Sequence, residues 1–191
     1  HVLVLAYGTI KSGTDLTGSG DVPAGILAGY NPNNADTADG NVQGTVSIDD
    51  YASITAAAGT DGIRGINYGI GTIGIIAEAG ATITAGRYGI AAIGGDGGDI
   101  TITTSATLSG STAAIDAMTT SAGTVTIENF GNMTGDVVTA NATFDNELGG
   151  VWNLAGASTF ATGTNVLINA GTIDTTGTSS ITSGGSLSVT N

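Results

Sequence analysis

Ile100-Thr101-Ile102-Thr103-Thr104 and Val125-Thr126-Ile127-Glu128-Asn129 share one pattern: apolar, polar, apolar, then two polar residues. Val46-Ser47-Ile48-Asp49-Asp50 repeats it, and Ile73-Gly74-Ile75 fills the rung between. Weaker copies are Ala142-Thr143-Phe144-Asp145-Asn146, Val166-Leu167-Ile168-Asn169 and Leu187-Ser188-Val189. Alternation of this kind reads as a short β-strand with one buried face. From Ile48 the copies lie 27, 27, 25, 17, 24 and 21 residues apart.

Two other boxes keep step with the first. One reads Gly25-Ile26-Leu27-Ala28, Gly62-Ile63-Arg64-Gly65, Gly89-Ile90-Ala91-Ala92 and Ala114-Ile115-Asp116-Ala117. The other is a single apolar anchor at Ile54, Ile83, Leu108, Met133, Trp152 and Ile173. An antiparallel sandwich also has short strands, but it does not repeat the same boxes in the same order. Each period is therefore expected to be one coil of three strands lying on the last, with Gly, Asn and Asp at the corners. The fold class expected is all-β: a right-handed, single-stranded parallel β-helix of about seven or eight coils over residues 1–191. No stretch shows a helical period.

Stacking accounts for the composition. Equivalent residues sit about 4.8 Å apart in neighbouring rungs. Ile26, Ile63, Ile90 and Ile115 then form one inward ladder, and Ile102 stacks on Ile127. Outward Thr and Ser tolerate copies of themselves above and below, whereas a charge repeated in every coil would repel its neighbour. The chain is 10% charged, and 33 of its 191 residues are glycine. Hydrophobic residues at 40% separate it from disordered sequences, and two prolines without a G-x-y period separate it from collagen.

Other features narrow the chemistry. The chain has no Cys, and its one His is His1, so a cysteine nucleophile, a thiolate zinc site and an internal Ser-His-Asp triad are all excluded. Three cations (Lys11, Arg64, Arg87) face sixteen carboxylates, a net charge of −13 that nucleic acid and anionic membranes repel. No apolar run approaches the roughly 20 residues of a membrane helix. The opening seven residues lack the basic front of a signal peptide. Removal of a leader, or a fragment of a longer protein, is the expectation.

Residues 123–135 (Gly-Thr-Val-Thr-Ile-Glu-Asn-Phe-Gly-Asn-Met-Thr-Gly) and 164–177 (Thr-Asn-Val-Leu-Ile-Asn-Ala-Gly-Thr-Ile-Asp-Thr-Thr-Gly) resemble the repeats of bacterial autotransporter passenger domains. Residues 149–160, with Val151-Trp152-Asn153-Leu154, are similar to the large adhesin-like members. The likeness spans about residues 40–191. It implies a right-handed β-helix exported across the outer membrane without being embedded in it. Its location would be the bacterial cell surface or the medium. It carries no catalytic motif to transfer.

Several residues invite a chemical reading, each beside a plainer one. Gly94-Gly95-Asp96-Gly97-Gly98-Asp99 resembles a single calcium-binding nonapeptide turn, with Asp96 and Asp99 as ligands; alone it also reads as a glycine-rich corner with two solvated carboxylates. Asp49 and Asp50 are a possible acid/base pair, but adjacent strand residues face opposite ways, so one is expected outside and the other at a turn. Arg64, Ala91 and Asp116 should line an outward stripe, read either as a polysaccharide-lyase groove or as scattered surface charge. Tyr51, Tyr68 and Tyr88 suit either sugar stacking or corner packing.

Residues 31–41 (Asn-Pro-Asn-Asn-Ala-Asp-Thr-Ala-Asp-Gly-Asn) stretch the spacing from Ile26 to Ile63 to 37, which predicts a protruding loop. Asn31, Asn33, Asn34, Asp36 and Asp39 are its candidate ligand-binding residues, the alternative being a functionless surface loop. Residues 1–24, including Val2 to Leu5, Ile10 and Leu16, read as a cap or first coil. The function expected is a non-enzymatic adhesin-like passenger binding a host-cell, matrix or glycan ligand. The alternative is a polysaccharide-active enzyme, a lyase or hydrolase, if a groove gathers carboxylates with Arg64 or Arg87. A threonine-faced ice binder needs a more regular array than these coil lengths suggest.

Overall fold

The computed structural model describes residues 1–13, 22–31, 37–119 and 123–191. Among them there is no helix, and all 22 strands fall into three parallel sheets. The first sheet stacks β1 (Val2–Ala6), β4 (Val46–Asp50), β7 (Ile73–Ala77), β10 (Ile100–Thr104), β13 (Val125–Asn129), β16 (Ala142–Asn146), β19 (Thr164–Asn169) and β22 (Ser186–Thr190). The second stacks β2 (Thr9–Ser12), β5 (Ser53–Ala58), β8 (Thr82–Gly86), β11 (Thr107–Gly110), β14 (Asn132–Thr134), β17 (Val151–Leu154) and β20 (Thr172–Thr175). The third stacks β3 (Ala24–Tyr30), β6 (Asp61–Asn67), β9 (Tyr88–Gly94), β12 (Ala113–Thr119), β15 (Val137–Thr139), β18 (Ala157–Phe160) and β21 (Ser180–Ser183).

Every third strand pairs in parallel, so the chain is a parallel β-solenoid. The seven rungs of the second sheet enclose six full turns, slightly under the seven or eight coils expected. Residues 1–12 supply the first rungs of two sheets, and Leu16 lies outside the described residues.

Register follows the boxes. Ile26, Ile63, Ile90 and Ile115 stack directly, as do Ile48, Ile75, Ile102 and Ile127. The single anchors form the third inward column, from Ile10 through Ile54, Ile83, Leu108, Met133 and Trp152 to Ile173. Ile102, Ile83 and Ile90 are all fully buried, and each such side chain stabilises the fold by about 1.5–3 kcal/mol. Glycine opens the second box for lack of room: a Cβ on Gly62 would strike the Ile83 side chain and the Gly89 carbonyl. Further along, Phe144 and Trp152 meet edge to face across the interior at 4.8 Å, and the indole N–H donates to the Gly135 carbonyl.

One rung departs from the expected register. Val166 and Ile168 are not the inward pair; Leu167 stacks on Phe144 and is 2% exposed. Asn165 takes the inward place beside it, because its amide is fully used. Its Oδ1 accepts from the Ala142 N–H, and its Nδ2 donates to the Ala161 carbonyl and the Ser183 hydroxyl. Burial of a polar side chain is tolerated when its hydrogen bonds are made.

A polar column closes the corner after the first sheet. Asn129 donates to Asn146, Asn146 to Asn169 and Asn169 to Asn191, at 2.6–2.7 Å. Asp50 and Thr104 occupy earlier rungs of this column, with Ala77 between them. Asp50 is fully buried, and its Oδ1 accepts from the Ala52 N–H, as an asparagine would. Asp49 is its outward neighbour, so the two carboxylates part as adjacent strand residues do.

Candidate functional site

Asp61 lies at the start of β6, Arg87 immediately precedes β9, and the third sheet brings them together one coil apart. Asp61 is fully buried. Arg87 donates from Nε to Oδ1 and from Nη2 to Oδ2, both at 2.7 Å, a two-point grip on the carboxylate. Arg64 donates from Nη1 to the same Oδ2 at 3.1 Å, and the Tyr88 N–H reaches Oδ1 at 3.3 Å. The Arg87 guanidinium also lies over the Tyr88 ring, 4.4 Å from its centre.

Asp116 joins from the next coil. It stands in register with Ala91 and, beyond it, Arg64. These three do share an outward column, yet they are not scattered charges: Ala91 is 1% exposed, and Asp116 is partly buried. Burial pushes the Asp116 carboxyl up, while a hydrogen bond with Tyr88 and the charge of Arg87 pull it back. Burial, then Asp116, pushes the Tyr88 phenol up. Hydrogen bonding to Asp61 makes Arg87 hold its proton harder still.

The five side chains thus form a self-satisfying network of two guanidiniums, two carboxylates and a phenol. Arg87, Tyr88 and Asp116 are all shifted toward keeping their protons. Asp61 was not singled out in the sequence; its spacing of three from Arg64 was the available signal.

The other candidates do not converge. Asp99 accepts at Oδ1 from the N–H and hydroxyl of Thr124 in the next coil, which holds its carboxyl low. Asp96 lies instead against Gly40. Among the described residues no group of three or more His, Asp or Glu side chains is placed to hold a metal. In the 31–41 segment, Asn33, Asn34 and Asp36 lie outside the described residues. Asp39 accepts from the N–H and side-chain amide of Asn41, while its own N–H donates to the Tyr68 carbonyl. That carboxylate holds a turn. Asn31 immediately follows β3.

The tyrosines divide. Tyr68 is packed at 9% exposure, Tyr88 belongs to the network, and Tyr51 is 42% exposed and stacked on Tyr7. No family model, curated protein or solved structure matches this chain.

Proposed function

We propose that this chain is a non-enzymatic, adhesin-like binding rod, a passenger displayed on a bacterial surface or released from it. The observation that carries the reading is the closed network at Asp61. Arg64 and Arg87, two of only three cations, are both spent on the buried Asp61 carboxylate, Arg64 from the same strand and Arg87 from the next coil. What remains outward is a set of long parallel faces on a stiff scaffold about 34 Å long, eight rungs at the usual strand spacing. Many modest contacts along such faces suit recognition of a host-cell, matrix or glycan ligand. The autotransporter-like boxes add the export route to the proposal.

The test is binding of the purified chain to immobilised matrix proteins and to a glycan array, beside polysaccharide-cleavage assays. Saturable binding without cleavage is expected.

A lyase or hydrolase is the second reading, favoured by the meeting of Arg64, Arg87, Asp61 and Asp116. Cleavage abolished by Arg87→Lys in a protein of unchanged melting temperature would replace the binding rod with that enzyme.

A further inference from the structure

The outer face of the first sheet differs sharply between its first rungs and the rest. Val2, Val4 and Ala6 share the inward columns of Val46, Ile48 and Asp50, so Leu3 and Leu5 face out with Ser47 and Asp49. Leu3 is 65% exposed, Leu5 52%, and Ile76, two rungs from Leu5 in the same column, 39%. At the adjoining corner Tyr7 and Tyr51 stack with ring centres 4.9 Å apart and planes 9° apart. Leu3, Leu5, Tyr7 and Tyr51 thus gather at the first rungs and their corner, with Ile76 beyond Asp49, and exposed apolar side chains gathered in this way commonly mark an interaction site.

The charge around the patch has one sign. Asp49 separates Leu5 from Ile76, and the same column continues through Thr103 to Glu128 and Asp145. Glu78 stands at the corner beside Tyr51; its charge, together with a hydrogen bond between them, holds the phenol up. No Lys or Arg occurs in any strand of the first sheet. Among the described residues neither ion pair includes a carboxylate of this face, so the complementary partner supplies cations. Three of the five apolar groups are aliphatic, which fits peptide side chains better than sugar rings.

We propose that Leu3, Leu5, Tyr7, Tyr51 and Ile76, with Asp49 and Glu78, form a docking surface for a cationic, aliphatic-rich polypeptide segment. The inference rests on the reading of this chain as a binding rod and names the class of partner. The aliphatic side chains of the segment cover the patch, and its Lys or Arg side chains reach Asp49, Glu78 and the acidic column below. Leu3 and Leu5 point out from the face of the sheet rather than along the stacking direction.

The experiment measures binding of a ten-residue Leu/Lys peptide, and of its Leu/Glu counterpart, by fluorescence anisotropy. About 150 mM salt limits diffuse attraction to a Debye length of roughly 8 Å. The wild-type chain should bind the Lys peptide and not the Glu peptide. Leu3→Ser/Leu5→Ser/Tyr51→Ser leaves the net charge unchanged and should weaken binding about tenfold or more. Asp49→Asn/Glu78→Gln should remove the preference for Lys. Circular dichroism and melting temperature identify a variant that fails to fold, and the charge variant then carries the test alone. Absence of peptide binding, or equal binding by the folded apolar variant, overturns the docking surface. So does an oligosaccharide that binds in the peptide's place. The same variants tested on matrix proteins separate the two readings: matrix binding retained by both variants removes this surface and leaves the rod. Wild-type failure on every matrix protein and glycan removes the rod itself.

Discussion

Arg87 holds both carboxylate oxygens of Asp61 at 2.7 Å across one coil, and the carboxylate it holds is completely buried. A charge in that position is tolerable only while its partners stay. Arg87→Ala leaves Arg64 and the Tyr88 N–H, so the loss is smaller than for an isolated buried pair. A destabilisation of about 2–3 kcal/mol is expected, with Asp61→Asn costing less. Urea denaturation of both variants checks the order.

Asp50 predicts a pH dependence. Burial pushes its carboxyl above the usual range, and the Ala52 N–H only partly offsets that. Its Oδ2 is buried without a partner. Asp49, Tyr51 and Glu78 are the titratable neighbours on β4 and the adjoining corner, and neither ion pair among the described residues includes Asp50. The folded state therefore favours the protonated form. That contribution is fully present below about pH 4, the unfolded value, and is lost as pH rises through the higher folded value. Asp50→Asn removes the share of the dependence that Asp50 contributes. At neutral pH it should be about 1 kcal/mol more stable than wild type, the scale of one satisfied hydrogen bond. The gap should close toward pH 4. Asp116, raised by burial as well, contributes with the same sign, so Asp116→Asn is measured beside it.

The asparagine column carries its own expectation. Asn146 accepts from Asn129 and donates to Asn169 and the Thr172 carbonyl. Asn146→Ala leaves buried polar groups on both sides unpartnered and should cost about 2–3 kcal/mol. Hydrogen exchange should rise first at residues 146–151, where that corner turns.

The corrected rung is tested by a pair of alanine substitutions. Leu167→Ala should cost about 2–5 kcal/mol, because it opens a cavity beneath Phe144. Ile168→Ala, facing outward, should stay within about 1 kcal/mol. Equal effects would return the rung to the Val166/Ile168 register.

A core substitution at Ile115 checks the stack as a whole. Ile115→Asp places a carboxylate between Ile90 and Val137, where no partner is available. It should cost several kcal/mol and cut the melting temperature steeply.

The sequence by itself determined the solenoid and most of its register. In-register stacking places like residues on like, so inward columns reappear in the chain as recurring boxes at similar spacing. Ile90 over Ile115 and Leu108 over Met133 were legible for that reason. At Val166-Leu167-Ile168 three apolar residues run together, and alternation alone does not say which faces in. The tertiary structure decided it through Asn165, whose three hydrogen bonds make an inward amide acceptable. The network at Asp61 was likewise beyond the pattern. Its partners come from three coils, and it depends on side-chain reach and burial rather than on spacing along the chain. Leu3 and Leu5 read as part of a first coil or cap; only pairing of β1 with β4 turned them outward. Columns are local repeats written into the chain, whereas charge pairing and exposure are set where different coils and faces meet.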